Sequence, residues 1–278
     1  MSKTTVVLLG TGTPNAEPDR MGSALAVVVG DNVYMVDFGP GVVRRAAGAQ
    51  RAGAEALRME NLTTAFLTHL HSDHTAGYAD LIMTPWVLGR EQPLSVYGPP
   101  GLVNMTEHIL AAYEMDRDMR VCGLEPTTGA GYGAAANEIG PGVCFQDNHV
   151  TVEAFEVDHG KGWMALGYQF TTSDRRIVIS GDTAPMDSAA QLWKGCDVLV
   201  HEVYSKKGYD MREPHWQRYH AAMHTSTAQL AQIADQVRPK LLVLTHLLLW
   251  GSTEEELVSE IREHYDGEVV CGEDLGVY

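Results

Sequence analysis

The chain has 278 residues, 45% of them hydrophobic and 20% charged, an ordinary composition for a soluble globular protein that can bury a large core. Lys and Arg number 20 against 36 Asp and Glu, a formal charge of −16; with basic pairs only at Arg44-Arg45, Arg175-Arg176 and Lys206-Lys207, this weakens a polynucleotide substrate without excluding one. No apolar run approaches the roughly 20 residues of a membrane span, the N-terminus has no signal-peptide pattern, and Cys122, Cys144, Cys196 and Cys271 form no Cys-x-x-Cys pair, which points to a reducing, cytoplasmic setting without a thiolate metal site.

In chain order, Val6-Val7-Leu8-Leu9 reads as a first strand, and residues 25–29 and 33–36 as a hairpin around Gly30-Asp31-Asn32. Gly39-Pro40-Gly41 marks entry to an Ala- and Arg-rich helix ending near Gly53. Residues 77–88 form the next helix, and 102–115 another after Pro99-Pro100-Gly101. Residues 123–143, rich in Gly and Ala around Tyr132, show no clear period and read as a mobile loop, either a lid or an ordinary surface excursion. Strands follow at 150–157 and 176–180, and Thr183 is placed to cap a helix running to Trp193. Ser226-Thr227 opens an Ala/Gln-rich helix that Pro239 stops, 240–244 is a strand, and Ser252-Thr253-Glu254-Glu255 opens a last helix with acids in its first turn. Strands and helices alternate without a linker, so a single domain over 1–278 is expected. Gly10-Thr11-Gly12-Thr13-Pro14-Asn15 lacks the third Gly of a dinucleotide fingerprint, and neither a Walker loop nor a Gly-x-Ser-x-Gly elbow is present.

The run Thr68-His69-Leu70-His71-Ser72-Asp73-His74-Thr75-Ala76-Gly77 follows the apolar Ala65-Phe66-Leu67. Imidazole and carboxylate donors together suit a borderline divalent ion, Zn²⁺ first, with Mn²⁺ or Fe²⁺ as harder alternatives. His69 and His71 stand two apart, so an extended chain aims both to one side. Asp73 and His74 are adjacent and expected to point in different directions, which suits two neighbouring metals better than one.

This run resembles the signature of the metallo-β-lactamase-fold hydrolases. The resemblance implies an α/β fold, an αββα sandwich of two mixed β-sheets flanked by helices, with distant ligands in a set order. Asp158-His159-Gly160, Gly181-Asp182-Thr183 and Thr245-His246 supply them, each just past a β-rich apolar segment, where open α/β sheets collect active-site residues. It assigns His69, His71 and His159 to a first metal, Asp73, His74 and His246 to a second, and Asp182 to bridge two divalent ions. Hydrolysis by a metal-bridging hydroxide follows, the water's pKa being lowered towards about 7; Asp73 would also steer the water or accept its proton. The resemblance sets Gly10-Thr11-Gly12 and Asp37-Phe38-Gly39 in loops under the site, with Asp37 orienting a ligand histidine.

Two segments bear on the branch. Val198-Leu199-Val200-His201-Glu202-Val203 resembles the His-Glu-Ala-Thr region of ribonuclease Z-like proteins, with Val203-Tyr204 in place of Ala-Thr. His224-Thr225-Ser226-Thr227-Ala228 resembles their His-Ser-Thr motif with one residue inserted, a form that together with His220 is closer to arylsulfatase-like and phosphodiesterase members. The likeness implies that His224 assists the leaving oxygen and that Glu202 supports it. Ribonucleases Z carry a long Gly/Pro-rich arm between the third metal His and the bridging Asp, which grips tRNA. Here that interval is 23 positions, enough for two strands and nothing else. The expectation is therefore a small-molecule phosphate, sulfate or related ester rather than nucleic acid. Ribonuclease Z-type RNA cleavage and lactone or amide hydrolysis are the alternatives. A non-enzymatic metal-binding module is disfavoured because all seven ligand positions are filled. No membrane partner is expected, and a homodimer is implied only by analogy. His108, His149, His215 and His264 have no spacing that ties them to the cluster.

Overall fold

A computed structural model describes residues 3–125 and 127–278; Met1 and Ser2, part of the N-terminal reading, and Pro126, within the 123–143 segment, lie outside the described residues. The chain divides into two units. Unit 1 comprises Met1–Gly10, Pro14–Ile139 and Asp274–Tyr278, and unit 2 comprises Thr11–Thr13 and Gly140–Glu273.

Unit 1 contains strands β1 (Thr5–Gly10), β2 (Ala24–Val29) and β3 (Asn32–Val36), helix α1 (Val42–Arg51), strand β4 (Thr64–Phe66) and the short helix α2 (Ser72–Thr75). Helix α3 (Tyr78–Val87), strand β5 (Leu94–Gly98), helices α4 (Leu102–Ala112) and α5 (Glu114–Cys122) and strand β6 (Ala134–Glu138) complete it. The sheet runs β1-β2-β3-β4-β5-β6. β1, β2 and β3 are antiparallel neighbours, and β3 to β6 are parallel. The expected hairpin pairs Leu25 with Val36 and Val29 with Asn32, and Gly30 supplies the positive φ of +63° that its turn needs. α1 buries Val42, Val43, Ala46 and Ala49, one helical face, and packs against β1 and α3.

The helix expected over 102–115 ends at Ala112, and a second one, α5, continues the path with none of its residues buried. The 123–143 reading is corrected more sharply. Trp86 Nε1 donates to Thr128 O at 2.8 Å, the Tyr132 ring meets Trp86 edge-on at 5.0 Å, and 134–138 pair with β5. The small residues hid this strand because its partner, not a period of its own, defines it.

Unit 2 contains β7 (Gly142–Gln146), β8 (Val150–Val157), β9 (Ala165–Thr172), β10 (Arg176–Ile179), α6 (Ala189–Leu192) and β11 (Val198–Tyr204). It continues with α7 (Lys206–Asp210), α8 (Pro214–Met223), α9 (Thr227–Val237), β12 (Leu241–Leu248), α10 (Glu254–Arg262) and β13 (Val269–Cys271). Its sheet runs β13-β12-β11-β10-β9-β8-β7, antiparallel from β7 to β10 and parallel from β10 to β13. α9 opens on a capping box of Ser226 and Gln229, and α10 on one of Thr253 and Glu256, as expected. Thr183 caps no helix. Its hydroxyl donates to Ala184 O and its amide to Glu202 Oε1, while Pro185 keeps Ala184 from helical geometry, so only the single turn α6 forms, after Ser188.

Both sheets are mixed and flanked by helices, the α/β architecture of the metallo-β-lactamase fold. Among the described residues no disulfide joins any of the four cysteines. Among the described residues no helix is long and apolar enough to cross a membrane.

Candidate functional site

Parallel neighbours end at the same edge of a sheet, and this places the chemistry of each unit. In unit 1, β3 and β4 are parallel neighbours, so Asp37, just after β3, meets Thr68, just after β4. Asp37 is buried with a left-handed φ of +59°, and its carboxylate gathers the loop. It accepts from Thr68 N at 2.8 Å, from Thr68 Oγ1 at 2.9 Å and from His74 Nδ1 at 2.7 Å. Because the Thr68 hydroxyl gives its proton to Asp37, it accepts from His69 Nδ1 at 3.0 Å. Both imidazoles are thereby held as the tautomer with the lone pair on Nε2, the state a metal ligand needs. The expected orienting role of Asp37 is what these bonds describe.

His69 and His71 do point to one side: His69 Nε2 lies 2.9 Å from His71 Nδ1. Asp73 and His74 fall on α2, whose N-cap is His71, and their side chains do not diverge as expected, since His74 Nε2 lies 3.5 Å from Asp73 Oδ2. The expectation rested on their adjacency alone; on the turn of helix α2 the two side chains stay close. The 37–39 loop lies close beneath α2, with Phe38 N donating to His74 O and Gly77 N to Phe38 O, both at 2.9 Å. A Cβ on Gly39 would sit 2.3 Å from Asp73 O, so only glycine permits the approach.

In unit 2, β10, β11 and β12 are parallel neighbours, and their C-terminal ends carry Asp182, Glu202 and His246. His246 does not follow the strand, as expected, but lies within it. Glu202 pairs with Thr245 and Val203 with Leu247, leaving His246 as an extra, bulged residue at φ +44°. A bulge re-aims a side chain, and His246 Nε2 stands 3.2 Å from Asp182 Oδ2. Thr11 O accepts from Leu247 N at 3.3 Å, so Thr11 backs this bulge. His159, just past β8, donates from Nδ1 to Met223 O at 2.8 Å, which again leaves the lone pair on Nε2. Burial, the largest influence, pushes its pKa below the ordinary 6.5, favouring the neutral ring.

His224 is the C-cap of α8. Its Nδ1 lies 3.4 Å from Glu202 Oε2 and 4.0 Å from Asp182 Oδ2, and its ring stacks on that of His246, 5.6 Å between centroids. The other Glu202 oxygen accepts from Thr225 N at 2.9 Å and Thr183 N at 3.3 Å. One carboxylate thus ties the loops before α6 and α9 to the strand and presents charge to His224. His159, Asp182 and His224 offer donor atoms all within 4.8 Å of one another, as do Glu202, His224 and His246. His201, next on β11, turns the other way against Trp193 and is fully buried.

Sequence reasoning named His220 beside His224 but missed Arg212 and Trp216. Trp216 and His220 on α8, with Arg212 just before it and His224 at its C-cap, stand four apart, a spacing that would have linked them once α8 was recognised. His108, His149, His215 and His264 belong to none of the clusters.

The family model described as a β-lactamase superfamily domain matches residues 32–247. Ribonuclease Z of Mycobacterium bovis (strain BCG / Pasteur 1173P2) is 30% identical over 275 residues, covering 97% of this chain and 96% of that protein. Among solved structures, the metallo-β-lactamase fold protein YhfI from Bacillus subtilis aligns with TM-score 0.76 at 18% identity, over 99% of this chain and 98% of that one. The human tRNase Z short form aligns with TM-score 0.72 at 24% identity, over 99% and 98%. With these matches added to the histidine and carboxylate clusters at the strand ends, the chain belongs to the β-lactamase superfamily and is a metal-dependent hydrolase acting on ester bonds.

Proposed function

We propose that the protein is a ribonuclease Z-type enzyme that hydrolyses phosphodiester bonds in RNA. The observation that carries this reading is the His224–Glu202 pair beside Asp182, in a chain matched along 97% of its length by a ribonuclease Z of the same extent. The reading replaces the expectation against nucleic acid. That expectation rested on the missing arm between His159 and Asp182 and on a formal charge of −16; net charge, though, is a property of the whole surface, and the site's own field decides what it attracts.

The ligand set proposed is His69, His71 and His159 for one divalent ion, Asp73, His74 and His246 for a second, and Asp182 for both. The donors fit: neutral imidazoles and buried carboxylates are the ligands of Zn²⁺, which we take as the native ion. Three of these histidines have their lone pairs oriented by Asp37, Thr68 and Met223 O. When bound, such ions supply Lewis acidity and a water of lowered pKa. Asp73 would accept a proton from the attacking water, and His224 would give one to the leaving oxygen. The Glu202 carboxylate offsets the imidazolium charge that this second step requires. A cytoplasmic, homodimeric enzyme completes the proposal.

A smaller phosphodiester is the second reading, favoured by one feature. Between His159 and Asp182 the chain makes only β9 and β10, paired from Thr171–Arg176 to Tyr168–Ile179, with no projecting arm. A panel of pre-tRNA, single-stranded RNA, methyl p-nitrophenyl phosphate, an aryl sulfate and a lactone, offered to metal-replete protein, separates the two. We expect RNA to be cut and the sulfate and lactone to survive. Intact RNA alongside rapid turnover of the small diester or the sulfate would overturn the first reading.

A further inference from the structure

We propose that the face of α8 leading to His224 is a nucleotide subsite: Trp216 stacks a base, and Arg212 binds the phosphate of the nucleotide beside the scissile bond. This rests on the RNA reading above and names what it recognises. Trp216 and Tyr219 are 42% and 43% exposed, large aromatic surfaces in water next to the reacting groups. The Trp216 ring stacks on His220 at 5.7 Å and 22°, and His220 lies 5.8 Å from His224, so two ring-to-ring steps connect the exposed indole to the proposed acid. His220 is itself buried, which fixes it as the spacer beneath that indole.

Arg212 supplies an independent observation. Its guanidinium is held between two indoles, 5.4 Å from the Trp216 ring and 5.3 Å from that of Trp250. Its Nε is buried and has no hydrogen-bond partner among the described residues. The neighbouring carboxylates are engaged elsewhere, Asp210 with Lys206 at 2.6 Å and Glu213 with His215 at 3.3 Å. A preorganised cation with no ion pair among the described residues is suited to an external phosphate. A stacking ring beside a phosphate-binding guanidinium is how single-stranded nucleic acid is gripped without sequence readout.

The test uses full-length, metal-replete protein. Adenosine 5′-monophosphate, a base and a phosphate with no diester to cut, is titrated calorimetrically into wild type, Trp216→Ala, Trp216→Phe and Arg212→Gln. Single-stranded RNA and methyl p-nitrophenyl phosphate are compared as substrates. Trp216→Ala and Arg212→Gln should each weaken mononucleotide binding by about tenfold, the scale of one base stack. The ratio of kcat/KM for RNA to that for the base-free ester should fall by a similar factor, through KM, while Trp216→Phe retains most of both. Unchanged binding in both variants overturns the subsite, as do equal losses on the two esters, which would mean that the residues only position His224. Wild type that cuts RNA, with variants that match it, defeats the subsite alone. Wild type that leaves RNA intact but binds the mononucleotide through Trp216 defeats the RNA reading and retains the subsite.

Discussion

Glu202 divides its work between two oxygens, and the division makes its role testable. Oε1 receives two backbone amides and holds the loops, while Oε2 faces His224. Glu202→Gln keeps an acceptor for the amides and removes the charge, so the fold should persist while turnover drops. His224→Ala should retain both metals and slow turnover by about 10²- to 10⁴-fold, the scale of a general acid; steady-state kinetics with metal analysis checks both, and a loss confined to metal content would relocate His224 to the ligand set. His220 has a separate signature. Burial, ahead of the neighbouring His224 and Arg212, pushes its pKa from 6.5 to about 4. The unfolded chain therefore takes up a proton near 6.5 that the folded protein refuses until about 4. Stability should rise with pH across that window and be lost on acidification through it. Thermal midpoints measured from pH 4 to 7 should show that slope, and His220→Phe should flatten it by close to one proton. His246 taught a different lesson: its identity was visible in Thr245-His246, but its bulge was not, because a bulge is defined by the register of the partner strand.

At the scale of elements, α3 carries an internal proline, and the chain repairs it from outside. Pro85 has no N–H for the Leu81 carbonyl, which instead accepts from Arg90 Nη1 at 3.0 Å. The same buried guanidinium reaches Ile82 O at 2.8 Å, Gln92 O at 2.9 Å and Gly131 O at 3.3 Å, joining α3 to the segment before β6. Burial pushes the Arg90 pKa down to about 10, which still leaves it charged at neutral pH. Arg90→Met should leave several buried carbonyls unpaired and cost about 3 kcal/mol or more, read as the change in urea unfolding free energy. A loss below about 0.5 kcal/mol would mean that water replaces the guanidinium there. Helices announced by caps, such as α9 and α10, and strands of alternating apolar residues, such as β8, were legible because their signals are local. β6, α5 and the true extent of α6 were not. The first depends on pairing with β5, the second on an exposed helix without an apolar stripe, and the third on Pro185 and on the claim of Glu202 upon Thr183 N.

Across the whole molecule, both units repeat one plan: antiparallel strands at one side of the sheet, parallel strands at the other, and functional residues at strand ends. Asp37 and the 68–74 run follow β3 and β4, His159 follows β8, Asp182 follows β10, and Glu202 and His246 lie at the ends of β11 and β12. The order of histidines and carboxylates along the chain was readable because each follows or closes a recognisable apolar run. The proposed RNA substrate was not, because the surfaces argued to recognise it, such as the α8 face, arise only on folding, and the net charge of −16 pointed away from RNA. The central claim is that seven side chains hold the metal on which hydrolysis depends. Metal-to-protein stoichiometry and phosphodiester turnover, measured together for wild type, His69→Ala and Asp182→Ala, test it most directly. The account predicts about two ions per chain in wild type and a loss of both metal and turnover in each variant. Full activity with unchanged metal content in either variant would contradict it.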